Sequence, residues 1–511
     1  MAQNPSNLST GEDTTMPTPV MLIGWGQATQ PKHATAPWQD PVDLMEQAAR
    51  DAAATAGVGA LAQVDTLLVV RSQSRDLPDA GHALARRLGI TPRTVKVSGI
   101  GGHVPQYFVN QAAGMLARGE AETVLICGAE TYYPRSADAV RGDAGLLQGI
   151  PADYAADDTV GSSELEQAHG LTLPIHGFPL FENALWAESG LSRAAWLQRV
   201  GQMWSGFSEV AAAHPNAWTR ASVDAATITT SSAENRPICF PYTKRMVSLV
   251  MADLGAAVIL TTAKRAAQFR DGAGSPVYFL GGAYARDRQR FFIQKSAYTR
   301  SPAMAQAVRS AETRAGVNAA DLECFDLYSC FPCAVTVAKR EIGIGEHDPR
   351  PLTLTGGLGF FGGPGSNYAL HGIATLAEAI AAGRYRSGMS TALGWFMHKY
   401  AAGIYSATPR EVDLRDADLA DTADPDAGAD PVPMVAAPEG SGFLDTYTVI
   451  YGRDHRPVCS LLYGHTPGGL RFVANGAPEP AMYAALLDEN QVGRALRVKQ
   501  VGGRNVAVFT D

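Results

Sequence analysis

Cysteine is scarce, with six in 511 residues, at 127, 239, 324, 330, 333 and 459, and several lie inside apolar runs. That scatter suits reduced, buried thiols better than a disulfide framework. Basic residues are in short supply as well. Lys and Arg number 42 against 50 Asp and Glu, leaving a net charge of −8, which argues against nucleic acid and anionic membrane as partners. Long apolar runs are missing too: the best, residues 249–260, is broken by Asp253 and is too short to span a bilayer. Residues 1–18 are polar and rich in Ser, Thr and Pro, without the apolar core of a secretion signal. The expectation is a cytoplasmic protein whose residues 1–16 form a floppy tail.

What the chain does hold is an ordinary α/β composition, 46% hydrophobic and 18% charged, at a length that supports several domains. Its most ordered stretch is residues 99–130, GIGGHVPQYFVNQAAGMLARGEAETVLICGAE. Glycines open a helix in which Pro105 suits the first turn, where no backbone N–H is needed. Val104, Phe108, Ala112 and Met115 form one apolar stripe. Gly119 ends the helix, and 123–126 reads as a strand. Such a helix presents its positive end to whatever sits at Gly102, where a cysteine would be activated. The residue there is glycine.

Around this stretch, strands at 19–26, 64–70 and 94–97 alternate with helices at 41–56 and 81–88, predicting a mostly parallel sheet covered on both faces. The rhythm breaks at 131–236, a tryptophan-bearing excursion with a helix over 196–212, and resumes at 247–260. A second alternating run follows: strands at 276–283, 324–328, 389–394 and 401–406, helices at 303–315, 333–342 and 366–382. Residues 411–433 carry eight carboxylates among Ala, Gly and Pro, the composition of a solvated linker. Beyond it, strands at 446–451, 458–463, 470–474, 496–501 and 505–509, with a helix at 480–487, suggest a small OB-like barrel.

Residues 119–130 resemble the G-x-x-x-V-x-x-x-G-x-E ending of the thiolase nucleophile helix. ADLGAAVIL resembles the thiolase s-D-G-A-A-A-x-x-L segment, with Leu254 where a glycine is usual. The chain is similar to the thiolase-like proteins of type 1, a group that carries an extra C-terminal domain. The resemblance implies an α/β fold duplicated into five αβαβα layers. It implies an N-terminal half at 17–275 with a loop domain at 131–236, a C-terminal half at 276–408, an acidic linker at 409–433 and the barrel at 434–511. It also implies a weak lean to a monomer.

Thiolases need an acyl-accepting cysteine, a histidine that activates it, a second cysteine that moves the α-proton, and oxyanion holes. By resemblance the first cysteine falls at Gly102. GGLGFFGGPG, residues 356–365, matches G-G-x-x-x-x-G-H-P and puts the histidine at Gly363. ALG, residues 392–394, matches C-x-G and puts the second cysteine at Ala392. YSCF, residues 328–331, matches H-D-C-F with Tyr328 for histidine and Cys330 kept. Thiolysis and Claisen condensation by the usual covalent route are therefore not expected. The remaining catalytic candidates are His103, Tyr328 and Cys330. Substrate-binding candidates are Gly102, Ser329, Gly362, Gly363, Asn367, Gly394 and His398.

Three other patterns have plain structural readings. Cys330 and Cys333 form a C-x-x-C without a second pair, which reads as core packing rather than a redox or zinc site. Gly357–Gly362 matches G-x-G-x-x-G, but the nearest downstream acid, Glu378, falls inside a helix rather than after a strand, which argues against a dinucleotide. Arg286, Arg288 and Arg290 could clamp a CoA phosphate or form an exposed charged loop. The resemblance implies an acyl-CoA-handling protein of lipid metabolism, an acetyl-CoA acetyltransferase-like acyltransferase by descent. Its ligand would be acyl-CoA or another small thioester, with no tightly bound cofactor, no metal, no nucleic acid and no membrane. The alternative is a non-catalytic module that binds acyl-CoA or a protein partner through the barrel.

Overall fold

The computed structural model describes residues 18–35, 37–77, 79–133, 160–269, 275–416 and 426–510. The first half runs β1 (Val20–Thr29), α1 (Pro41–Ala56), β2 (Thr66–Val70), α2 (Ala80–Leu88), β3 (Thr94–Val97), α3 (Val104–Ala117) and β4 (Thr123–Thr131). An excursion follows, with α4 (Glu164–His169), α5 (Pro174–Ser189), α6 (Arg193–Ala213), α7 (Ala225–Thr229) and the short strands β5 (Pro237–Cys239) and β6 (Tyr242–Thr243). The chain then returns as β7 (Asp253–Thr262) and the single turn α8 (Ala263–Ala266). The second half repeats the first: β8 (Val277–Asp287), α9 (Pro302–Ala315), β9 (Cys324–Asp326), α10 (Pro332–Ile342), α11 (Tyr368–Ala381), β10 (Ser387–Gly394) and β11 (Lys399–Ser406).

The strands lie in the order β3-β2-β4-β7-β1-β8-β11-β10-β9, so the halves meet back to back at β1 and β8. The sheet is mixed, where alternation in the sequence predicts a mostly parallel one. The pairs built by helical crossovers, β2–β3, β2–β4 and β9–β10, are parallel. β7 and β11 return without a packed crossover helix and therefore run antiparallel to β4 and β10.

Packing makes five layers. α1 and α2 cover one outer face with Leu44, Met45, Ala48 and Leu84. Gly24 and Gly26 let α1 settle directly on β1, since a Cβ on either would lie 2.2 or 2.1 Å from a helix carbonyl. α3 and α11 fill the space between the halves with Phe108, Val109, Ala112, Leu370, Ile373 and Leu376. On the other outer face, α9 and α10 contribute Met304, Val308, Val335 and Val337.

The C-terminal strands β13 (Gly440–Tyr451), β14 (Pro457–His465), β15 (Arg471–Gly476), β16 (Ala495–Val501) and β17 (Arg504–Phe509), with α12 (Pro480–Leu487) after the third, close a five-stranded barrel. Its circuit is β13-β14-β15-β17-β16-β13. The barrel is built into the molecule. β5 pairs with β13 at Cys239 and Ile450, and Asn183 on α5 donates to the carbonyls of Phe240 and Tyr447. Tyr463 donates to the buried Glu166 at 3.0 Å, and one apolar core runs through excursion, second half and barrel. Within the acidic stretch Leu414 is buried. The strand β12 (Asp426–Ala427) lies alongside Arg286 and Asp287 of β8, and Arg288 meets Asp430 at 3.5 Å. Among the described residues no helix is long and apolar enough to cross a membrane.

One buried joint ties the excursion to the central layer. His214, just beyond α6, and Gln27 of β1 both reach the Thr375 hydroxyl at 3.1 Å, and the Gln27 side-chain oxygen lies 2.8 Å from His371 Nδ1. Both imidazoles sit 5.0 Å from the Phe361 ring. Burial lowers His214 to about 4 and His371 to about 3. The folded state thus binds fewer protons than the unfolded one, and this contribution to stability is lost as pH falls from about 6.5 toward those values. Burial raises Glu130 and Glu182 to about 7, and those two act in the opposite sense between about pH 7 and 4.5. Comparing His371→Gln with the parent cancels the carboxylates. The stability difference should move by about 2–3 kcal/mol in the variant's favour between pH 7 and 4.5, at about 1.4 kcal/mol per unit. Denaturation at both pH values reads it, and a difference that does not change with pH refutes the buried neutral imidazole.

Candidate active site

α3 begins at His103, whose side chain makes no capping bond to the helix. The glycine turn before it is held from the second half: the Gly101 amide donates to Ser366 Oγ at 2.9 Å, and Gln73 Nε2 donates to the same oxygen at 2.9 Å. Gln73 is itself fixed by Glu130, whose carboxylate accepts from the amides of Gln73 and Ser74 and from the Ser72 hydroxyl at 2.7–2.9 Å. Gly365 makes room for this carboxylate. Its φ is +51°, and a Cβ there would lie 2.3 Å from Glu130 Oε1. The entry to α3 is thus positioned by a chain of hydrogen bonds across the two halves.

The decisive contact is at Gly102. A Cβ on this residue would stand 2.1 Å from the Tyr328 hydroxyl oxygen and 2.5 Å from the Leu393 carbonyl oxygen. No side chain fits without displacing both. Tyr328 follows β9 and is fixed by its amide bond to Thr391 Oγ1 at 2.9 Å and by edge-on packing against Tyr368. Burial pushes its phenol pKa up, so the hydroxyl stays neutral and can donate.

Around this point the strand ends gather the other candidates. Ser329 Oγ accepts from the Leu358 amide at 3.3 Å and faces Gly357. Burial pushes the Cys330 thiol up, which favours its neutral form, while its carbonyl accepts from Ser248. Gly363 differs from Gly102: the nearest atoms to an added Cβ are 3.4 Å away or more, so a Cβ fits. Gly362, with φ +125°, approaches Leu254, Ala252 and Trp218. Ala392 is buried within β10, opposite Ala401.

His103 is 2% exposed, and its ring lies against Gly101 and Gly394 and stacks on Tyr284 at 5.3 Å. Two candidates are engaged elsewhere. Asn367 donates to the Gly128 carbonyl on β4 at 2.7 Å, and the His398 ring packs on Gly161 at the start of the excursion.

Residues 426–503 match the family profile described as the thiolase-like protein type 1 additional C-terminal domain. A monomeric SCP2-thiolase-like protein type 1 from Mycobacterium smegmatis is similar over 97% of this chain and 100% of its own, at 28% identity and a TM-score of 0.80. The chain has the thiolase-like fold and carries the additional C-terminal domain of the thiolase-like proteins of type 1. An Ltp2–ChsH2(DUF35) aldolase aligns over 78% of this chain and 99% of its own, at 19% identity and a TM-score of 0.60. The human mitochondrial 3-ketoacyl-CoA thiolase in complex with CoA aligns over 77% and 99%, at 16% and 0.53. These two share the fold. No curated protein sequence matches the chain.

The other sequence patterns are structural. Cys333 is buried, its thiol 3.4 Å from the Phe178 carbonyl. The G-x-G-x-x-G loop braces the excursion: the Phe360 and Phe361 carbonyls accept from the Thr219 and Trp218 amides, and Gly356 admits Ala211. Arg288 faces the acidic connection through Asp430. No group of three potential metal ligands occurs among the described residues. Sequence reading missed Ser366, Tyr284 and Lys399. Ser366 is visible only as a hydroxyl beside the glycine loop, and Lys399 reads as the polar boundary of a strand.

The crowding predicts that Gly102→Cys lowers stability by about 1–3 kcal/mol and gains no thiolysis. Adding Tyr328→Ala should recover only part of the loss, because the Leu393 carbonyl remains. Thermal midpoints and a thiolysis assay check both points, and robust thiolysis by the single variant contradicts the assignment.

Proposed function

We propose that this protein handles acyl-CoA in lipid metabolism without forming an acyl-enzyme, as an acyltransferase by descent that lacks the usual cysteines and histidines. The observation that carries the reading is the Tyr328 hydroxyl standing where a nucleophile's side chain would start. A neutral, buried phenol beside the first turn of a helix offers a hydrogen bond and a favourable dipole to a thioester oxygen as charge develops on it. That stabilises an enolate or a tetrahedral centre and supports direct acyl transfer or carbon–carbon bond cleavage, neither of which requires a cysteine. The likeness in fold to an aldolase and to a thiolase with CoA bound supports the same class of ligand.

A second reading, a non-catalytic acyl-CoA-binding module, is favoured by the packed ring of His103 and the buried Cys330 thiol, which burial holds neutral.

Calorimetry with acetyl-, acetoacetyl- and longer acyl-CoAs, alongside detection of free thiol and of carbonyl products, separates the two. For the enzyme, Tyr328→Phe should lower turnover by about 10²–10³-fold while leaving binding nearly intact. Binding without turnover in the parent protein establishes the module. If no acyl-CoA binds at millimolar concentration, both readings fall.

A further inference from the structure

Glu130 stands near the end of β4, wholly inside the protein. Among the described residues its oxygens meet three neutral donors and no cation: the Ser74 amide at 2.7 Å, the Gln73 amide at 2.8 Å and the Ser72 hydroxyl at 2.9 Å. Two successive amides and a hydroxyl turned on one carboxylate make a cradle for an anion. Burial works against that charge and pushes Glu130 up to about 7.

The bonds around it determine what a proton would change. A carboxylate only accepts, whereas a carboxylic acid must also donate. The acceptor within reach of Oε2 is the Ser72 hydroxyl oxygen, whose own proton can turn to Ser74 Oγ, 3.2 Å away. Once protonated, Oε2 is a poor acceptor for the Ser74 amide, and a buried amide that loses its partner is costly. The 72–74 turn then loses the bond that fixes it. That turn carries the Gln73 side chain, which donates to Ser366 Oγ, the same atom that receives the Gly101 amide, each at 2.9 Å. Oε1 also fills the space where Gly365, the residue before Ser366, would carry a Cβ. That contact is the same in either protonation state, so the proton-sensitive link runs through Gln73.

We propose that Glu130 is the positioning residue of the turn before α3, and that by releasing or taking up a proton it tightens or slackens the Gly101–Gly102 backbone against Ser366. The ionised form holds the turn in place. The acid form relieves the buried charge and frees it. Neither statement depends on which ligand the site takes.

Other titratable groups lie close. Tyr132 shares the field of Glu130. Asp253, opposite Thr131 on β7, is taken up by Gln30 and the Tyr133 amide, and Leu254, opposite Glu130 itself, carries no charge. Against the turn stands the His103 ring, with the buried Lys399 opposite Gly394 beyond it.

Hydrogen–deuterium exchange of the Ser74 and Gly101 amides in the full chain, resolved by residue and corrected for intrinsic rates, separates Glu130 from these neighbours. Between about pH 8 and pH 6 both amides should lose about tenfold in protection. In Glu130→Gln, whose amide group also donates, both should exchange at the faster rate at either pH. In Gln73→Ala the change at Ser74 should remain, while Gly101 is poorly protected throughout. Constant Gly101 protection in the parent protein overturns the proposal, whether or not the variants fold. A change at Ser74 alone also overturns it, since the carboxylate then serves only its own turn. So does a pH-dependent Gly101 amide that survives Gln73→Ala or a folded Glu130→Gln, which assigns the titration to His103 or another neighbour.

Discussion

Excluded volume at one glycine governs the chemistry open to this fold. Two atoms cannot share the space next to the Gly102 Cα, and that space holds the Tyr328 hydroxyl, with the Leu393 carbonyl oxygen beside it. A larger residue at 102 is compatible only with a smaller one at 328 and a shifted strand end. The two positions are therefore a single unit of selection, and a change at one is physically conditional on the other. The contrast with Gly363, where ordinary van der Waals space remains, locates the constraint at this end of α3 rather than across the whole glycine-rich surface.

Holding that contact requires that three separate chain segments arrive in register. Ser366 and Gln73 fix the turn before α3, the amide bond to Thr391 fixes Tyr328, and Asp326 fixes the segment that precedes it by accepting from the amides of Leu354 and Thr355. Each bond crosses between segments distant in sequence. Buried polar groups of this kind are costly when left unmade and modest in value when satisfied, so they select one arrangement of the halves more than they strengthen it.

Much of this was legible in the residues. Helical spacing and glycine stops placed α1, α3 and α9 within a residue or two, because apolar stripes and stops are local signals. Short β-branched runs placed the barrel strands, and the closed barrel follows from their number and alternation. The direction of β7 and β11 was not legible, since parallel and antiparallel strands share one hydrophobic pattern when both faces are covered. The occupant of the space at Gly102 was not legible either. A glycine where the thiolase resemblance implies a cysteine reads as a vacancy, and only coordinates show that a tyrosine from more than two hundred residues away stands there. Lys399 was hidden for a related reason: a charged residue at a strand's end reads as a boundary until its burial is known.

The joint between excursion and barrel sets the order in which the molecule can be completed. Leu180 on α5 receives the Thr446 hydroxyl, and Asn183 reaches the Tyr447 carbonyl, so one wall of the excursion is made by strands from the far end of the chain. During synthesis the apolar flank of α5 emerges long before its cover. The wall of the excursion can therefore close only after those strands have been made. Seating of the barrel completes that wall, so the two ends of the domain depend on each other for cover.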